Sequence, residues 1–246
     1  MLNLTLIDAD SIYFRQACVT KNKKDIRRGI DHVMNEIKRE CLSDQLMVAV
    51  KGHGNFRKDL YPKYKANRKP QPDDMKEALT YGHDYMCKKW DAVMADGMEA
   101  DDLVSIWAYE AREAEAAYVI AGIDKDLLQI PGDHYNFAKR THQFIDDDAG
   151  DLNLALQCLT GDGTDNIPGI RGVGPKTAAA ILRGIPMPRR WNRVRAAWRQ
   201  HGAGNPELSR SLLKMLTSWE EYEGIKDRIA SQTSVSQQDV LAGKKE

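Results

Sequence analysis

Residues 92–126 read AVMADGMEADDLVSIWAYEAREAEAAYVIAGIDKD. A short apolar run (92–95) ends in acids, a helical stretch (99–116) follows, and a second apolar run (117–120) again ends in acids, Asp124 and Asp126. Strand, helix, strand in this order predicts a parallel pair joined by a crossover helix. The same grammar extends upstream. Residues 4–7 form a short apolar run before Asp8 and Asp10, and residues 46–50 (LMVAV) read as a buried strand. Between them, residues 25–42 carry Ile26, Ile30, Val33, Met34, Ile37 and Leu42 at helical spacing. Residues 73–90 read as another helix, entered through Pro70 and Pro72. The expected fold is therefore α/β, a mostly parallel sheet with helices on both faces. After about residue 150 strand signals stop. Residues 151–160, 174–184, 188–201 and 206–218 each look helical, which predicts a smaller helical subdomain over 151–230 and a polar tail over 231–246.

The chain has 246 residues, 42% of them hydrophobic and 29% charged, enough to bury a core and too apolar for global disorder. No run of 18 apolar residues exists, so no membrane-spanning helix is expected. The N-terminus lacks a signal-peptide pattern, so the expected location is the cytoplasm. Cys18, Cys41, Cys87 and Cys158 form no CxxC pair and read as reduced structural residues.

Lys plus Arg equals Asp plus Glu at 36 each, so the formal charge is zero. Taken alone, that sum argues against a uniformly basic nucleic-acid binder. The distribution argues otherwise. Residues 51–70 hold seven basic residues against one acid (+6), residues 171–199 hold eight and none (+8), and residues 84–165 hold 18 acids against six basic residues (−12). Basic stretches interleaved with Phe56, Tyr61 and Tyr64 suit a nucleic-acid strand, and Arg190, Arg193, Arg195 and Arg199 are candidates for phosphate contact. Trp191 and Trp198 read as core residues.

The acids cluster after the strands: Asp8 and Asp10; Asp96, Glu99, Asp101 and Asp102; Asp124 and Asp126. Asp162 and Asp165 follow in a loop. A parallel sheet would gather the first three groups at one edge, where ligands bind in such folds. Singly, each has a plainer reading; Asp96 and Glu99, for instance, match a capping box. Together, carboxylates at one edge repel each other unless a cation is present. All-oxygen ligands suit Mg²⁺ or Mn²⁺, and two such ions about 4 Å apart clamp a phosphodiester. Residues 167–182, IPGIRGVGPKTAAAIL, read as helix–hairpin–helix, with backbone N–H groups near Gly172 and Gly174 open to phosphate.

Four motifs in order, LIDAD, FRKDLYPKYKANR, GMEADD…AGIDKD and GDGTDNIPGIRGVGPKTA, resemble the structure-specific 5′-nucleases over about residues 4–185. That family includes the 5′-nuclease domain of bacterial DNA polymerase I, flap endonucleases and phage 5′→3′ exonucleases. The absence of a polymerase region makes a phage or stand-alone bacterial member the expectation. The resemblance implies a resolvase-like (PIN-like) catalytic domain over 1–150, an arch over about 52–90 and a helix–hairpin–helix (H3TH) DNA clamp. It implies Mg²⁺-dependent hydrolysis at 5′ ends, flaps, nicks or gaps of DNA, with RNA primers as a further substrate, by a monomer.

Carried residue by residue, the resemblance implies that Asp8, Glu99, Asp101, Asp102 and Asp124 form the tighter metal site. Asp126, Asp162 and Asp165 match the looser one. Tyr64, Lys65, Arg68 and Arg15 match residues that meet the scissile phosphate. Arg57, Lys69, Gly172, Gly174, Lys176 and Thr177 are the expected DNA contacts, and K⁺ is implied at the hairpin carbonyls of residues 169–174. One position departs from the family: relatives carry a metal-ligating Asp after the second strand, where this chain has Gly52 or its neighbours. Two other readings stay open: a DNA-binding protein with weakened catalysis, which Gly52 alone supports, and an RNA-directed nuclease of the same architecture.

Overall fold

The computed structural model describes residues 3–202 and 204–242, with side chains described up to residue 231. Its elements are β1 (Asn3–Asp8), α1 (Asp10–Val19), α2 (Lys23–Glu40), β2 (Gln45–Lys51), α3 (Phe56–Leu60), α4 (Asp73–Lys89), β3 (Val93–Ala95), α5 (Ala100–Glu113) and β4 (Ala117–Ala121). There follow β5 (Gly132–Asn136), β6 (Thr141–Ile145), α6 (Asp147–Thr160), α7 (Pro175–Leu182), α8 (Met187–Gln200), α9 (Pro206–Leu213) and α10 (Trp219–Ala242). The six strands form one sheet in the order β3-β2-β1-β4-β5-β6. All neighbours run parallel except β5 and β6. The chain winds from β1 toward β3, then returns to the other side of β1 with β4. That reversal opens a crevice at the carboxyl ends of β1 and β4.

Successive strand residues point to opposite faces. Leu6, Ala49 and Ile120 pack with Leu103 and Ile106 of α5, while Ile7, Val48, Val50 and Ala121 pack with Ile12 of α1, Ile26, Ile30, Met34 and Ile37 of α2, and Met86 of α4. The sheet is thus covered on both faces, as the near-continuous apolar strands predict. A third cluster joins α6 to α9 around Trp198, whose Nε1 donates to the Cys158 carbonyl at 3.0 Å. All four cysteines are free, and among the described residues no helix is long and apolar enough to cross a membrane.

Several elements, α1, α3, β5, β6 and α10, were not read from the sequence. The strand β6, THQFI, is mostly exposed and lies at the sheet edge, so it shows no apolar run. Its partner β5, GDHYN, buries only His134 and Tyr135. The helix α1 starts at Asp10, with only Ala9 between it and β1 and without the turn signal that would separate them. Part of the expected polar tail is also helical, since α10 continues to Ala242; residues 243–246 lie outside the described residues. The expected arch, about 52–90, comprises α3, a turn segment at 61–72 and α4, and α4 packs into the second core.

One buried ion pair links these layers. Arg57, on α3, bonds both carboxylate oxygens of Asp102 on α5, with Nη2 to Oδ1 at 2.8 Å; the two side chains are 3% and 0% exposed. Arg57 also donates to the carbonyls of Leu212 (2.8 Å), near the end of α9, and Lys214 (3.1 Å), just past it. Asp102 in turn accepts the Leu216 N–H at 3.2 Å. Removing one partner strands the other charge away from water. Asp102→Ala is therefore expected to destabilise the fold by about 3–5 kcal/mol, read by denaturant unfolding.

Candidate active site

The carboxyl edge of the sheet holds the acids. Asp8 ends β1, Asp124 follows β4, and Glu99 and Asp101 open α5 beside them. Together with Asp10, Ser11, Lys65, Arg68 and Lys125 they line a cleft of about 510 Å³. A smaller recess beneath it is lined by Tyr64, Asp126 and Asp165 among others. Asp162 and Asp165 reach the edge through a tight loop. The Asp162 carboxylate accepts the N–H groups of Thr164 (2.7 Å) and Asp165 (3.2 Å), and a backbone bridge ties residue 162 to 167.

Burial sets the electrostatics. Burial pushes the Asp8 carboxyl up to about 8, helped by the Asp10 and Asp124 charges. Burial, with Asp102 and Glu99 nearby, holds Asp101 well above the usual carboxylate range. Burial and the Asp124 charge push Asp126 up to about 6. Glu99 goes the other way: burial raises it, but the Arg57 and Lys65 charges and hydrogen bonds from Lys65 and Tyr64 outweigh that and bring it below the usual range.

Three cations stand among these acids. Lys65 Nζ pairs with Glu99 and lies 3.4 Å from Asp165, Arg68 pairs with Asp165, and Lys125 lies 2.8 Å from Asp162 and 3.8 Å from Asp126. Among the described residues no three acids close on a single point. Lys65 has a left-handed backbone, φ +56°, and its N–H bonds the Asp165 carbonyl at 2.9 Å. A non-glycine residue in that region is held there by its surroundings, here by the loop that carries Asp165.

The structure corrects several expected roles. Asp102 is fully buried, and its oxygens are taken by Arg57, the Glu99 N–H (3.1 Å) and the Leu216 N–H, so it positions the start of α5 and is not open to a metal. The N-cap of α5 is accordingly Glu99 with Asp102 at N3, three residues later than the Asp96–Glu99 box expected. Arg57 is buried and cannot reach DNA. Tyr64 is 3% exposed and donates to Glu99 at 2.7 Å, so it orients an acid rather than meeting a phosphate directly. Phe56 is equally buried, packing edge-on to Tyr222, and neither ring is available to stack on a base. Arg190 is buried between Asp148 (2.8 Å) and Asp151 (2.6 Å), and Arg195 pairs with Glu207.

Other expectations keep their surface. Arg15, Lys69, Gly172, Gly174, Lys176 and Thr177 are exposed, although Arg15 does not line the acid cleft. Gly172 has φ +82° with open space around it, as a hairpin turn requires. Gly169 serves a different need: a Cβ there would sit 2.2 Å from the Thr160 carbonyl carbon. Sequence reasoning missed the role of Lys125, an acid-cleft cation inside the AGIDKD motif itself.

Residues 3–151 match the family described as the 5′-3′ exonuclease N-terminal resolvase-like domain. The chain belongs to this family. A stretch of 143 residues is 36% identical to DNA polymerase I of Rhizobium leguminosarum, covering 52% of this chain and 14% of that protein. Another relative, the flap endonuclease Xni of Shewanella baltica, is 32% identical over 143 residues, or 52% of this chain and 53% of that protein. The matched part thus spans about half of that endonuclease and a small part of the polymerase. Among solved structures, T5 5′-exonuclease with bound zinc superposes with a TM-score of 0.69 at 18% identity, covering 93% of this chain and 98% of that one. The phage T5 D15 flap endonuclease with DNA and metal ions gives 0.66 at 18% identity, covering 98% and 96%. At these identities the likeness is one of fold.

Within this family member, Gly52 has its own steric reason. A Cβ there would lie 2.5 Å from Asp96 Oδ1 and 2.6 Å from the Ala95 carbonyl carbon. No side chain fits, so the β2 end cannot regain an acid by substitution at this position. Gly52→Asp is expected to lower stability by about 1–3 kcal/mol through overpacking and to leave divalent-metal affinity no better, as read by thermal unfolding with and without Mg²⁺.

Proposed function

We propose that the chain is a Mg²⁺-dependent 5′→3′ exonuclease and structure-specific flap endonuclease that hydrolyses DNA phosphodiesters in replication and repair. The observation that carries this reading is the row of acids at the carboxyl edge of the sheet, Asp8 buried, Asp124 exposed and the others half-buried, interleaved with Lys65, Arg68 and Lys125. The donor set fits a hard divalent cation. It is all oxygen, and burial holds Asp8 and Asp101 above the usual range, a penalty that a bound cation removes. Ser11 Oγ, on the same cleft wall, is shielded from solvent and has no hydrogen-bond partner among the described residues.

Asp8, Glu99, Asp101 and Asp124 would hold one ion, and Asp126, Asp162 and Asp165 a second. Mg²⁺, or Mn²⁺ in its place, would supply there an activated water and neutralisation of charge on the leaving oxygen. The chain's own residues do the rest. Tyr64 and the Arg57–Asp102 pair fix Glu99 and the start of α5. Lys65 and Arg68, which pair with Glu99 and Asp165 in the cleft, are placed to offset the charge that develops on the phosphate. The exposed hairpin, with Gly172, Gly174, Lys176 and Thr177, holds backbone phosphates without reading bases, with K⁺ at the carbonyls of residues 169–174. Lys69 and Arg15 add phosphate contacts. The substrates in this reading are 5′ ends, flaps, nicks and gaps, RNA primers included, and the working form is a cytoplasmic monomer.

The test is product sizing on flap, nicked and blunt DNA and on matched RNA, with Mg²⁺. Asp124→Asn is expected to abolish cleavage and leave DNA binding largely intact; turnover in that variant would refute the assignment. Lys65→Ala is expected to slow cleavage by about 10²-fold. Cleavage of RNA alone would favour the RNA-directed reading, and binding without cleavage the weakened one. Lys176→Ala should weaken binding to all sequences and reduce the salt slope by about one, measured by fluorescence anisotropy across a salt series.

A further inference from the structure

The end of β2 carries no acid, because Gly52 packs against Ala95 and Asp96 and His53 turns its N–H onto Asp96 at 2.8 Å. A carboxylate reaches that place from the first residue of α1. Asp10 lies two residues past Asp8, and its Oδ1 accepts the Lys51 N–H at 2.8 Å and the Tyr13 hydroxyl at 2.7 Å. Lys51 is the last residue of β2. These bonds fix the Asp10 carboxylate between the ends of β1 and β2. The other oxygen, Oδ2, accepts no hydrogen bond among the described residues, and the Asp10 N–H donates to Asp8 Oδ1 at 3.3 Å. Asp10 lines the same cleft as Asp8, Glu99, Asp101 and Asp124, next to the unpartnered hydroxyl of Ser11.

We propose that Asp10 is a metal-holding residue, supplying through Oδ2 the carboxylate that the β2 end lacks. This inference rests on the divalent-metal reading above and assigns a residue that the resemblance does not. It also answers the case for weakened catalysis, since the charge missing at Gly52 returns at Asp10 by way of a hydroxyl and an amide that aim it. The competing account is that Asp10 only ties α1 to β2. Asp10→Asn separates the two: the amide oxygen still accepts from Lys51 and Tyr13, and only the charge is lost.

The measurement is Mn²⁺ binding to the full chain without DNA, by electron paramagnetic resonance titration, alongside thermal unfolding in chelator. Asp10→Asn is expected to weaken Mn²⁺ binding by about 10- to 100-fold and to unfold in chelator no earlier than wild type. Asp10→Glu, which keeps the charge, is expected to recover part of that affinity, and Glu113→Gln, exposed on α5, to match wild type. Affinity of Asp10→Asn within twofold of wild type would overturn the proposal, as would an Asp10→Glu variant no better than Asn. A wild-type chain that binds no Mn²⁺ would instead remove the metal-dependent reading on which it rests.

Discussion

The buried Arg57–Asp102 pair is the constraint on which the site depends. Desolvating two charges is costly, and the cost is recovered only if every lone pair and N–H finds a partner. Here the partners come from four places: α3, the start of α5, the carbonyls of Leu212 and Lys214, and the Leu216 N–H. The pair therefore cannot form unless the sheet domain and the segment after α9 are both in place. Glu99, whose N–H bonds Asp102, and Asp101 beside it are positioned by the same closure. A group expected to hold metal and a group expected to hold DNA turn out to hold each other.

The acids at the cleft exist in an unequal balance. Some are relieved by chain cations, as Glu99 is by Lys65 and Asp162 by Lys125. Others, Asp8 above all, are dominated by burial and like charges, eased by the Asp10 N–H. This division follows from where the cations come from. Lys65 and Arg68 sit on the turn after α3, which is pinned to the 162–166 loop through the Lys65 N–H and through Asn67 and Asn166. The neutral overall charge thus hides two populations of carboxylate in one cleft, one already paired and one that gains most from an added cation.

Much of the fold was legible because burial writes itself into sequence. Four parallel strands with apolar runs, and helices with regular apolar spacing, were readable with ends within a few residues. Elements that bury little, β5 and β6, carry no such trace, since an exposed edge strand selects for polar residues. Within the site, the acids were legible from their place after strands. What was not legible was their division of labour. Nothing in GMEADD distinguishes Asp101, on the cleft wall, from Asp102, turned inward to Arg57. Likewise FRKDLYPKYKANR does not reveal that Phe56, Arg57 and Tyr64 point inward while Lys65 and Arg68 reach the cleft.

The sequence by itself determined the α/β class, the family, the gathering of acids at one sheet edge and the basic hairpin that follows, because periodicity and strand-end position are local properties of the chain. The tertiary structure alone decided which acid faces a cation and which a buried arginine, why Gly52 admits no side chain, and that Asp10 reaches the end of β2. Those depend on distances between residues about 40 to 160 positions apart, and burial together with neighbouring charges, not residue type, sets which way each acid is shifted.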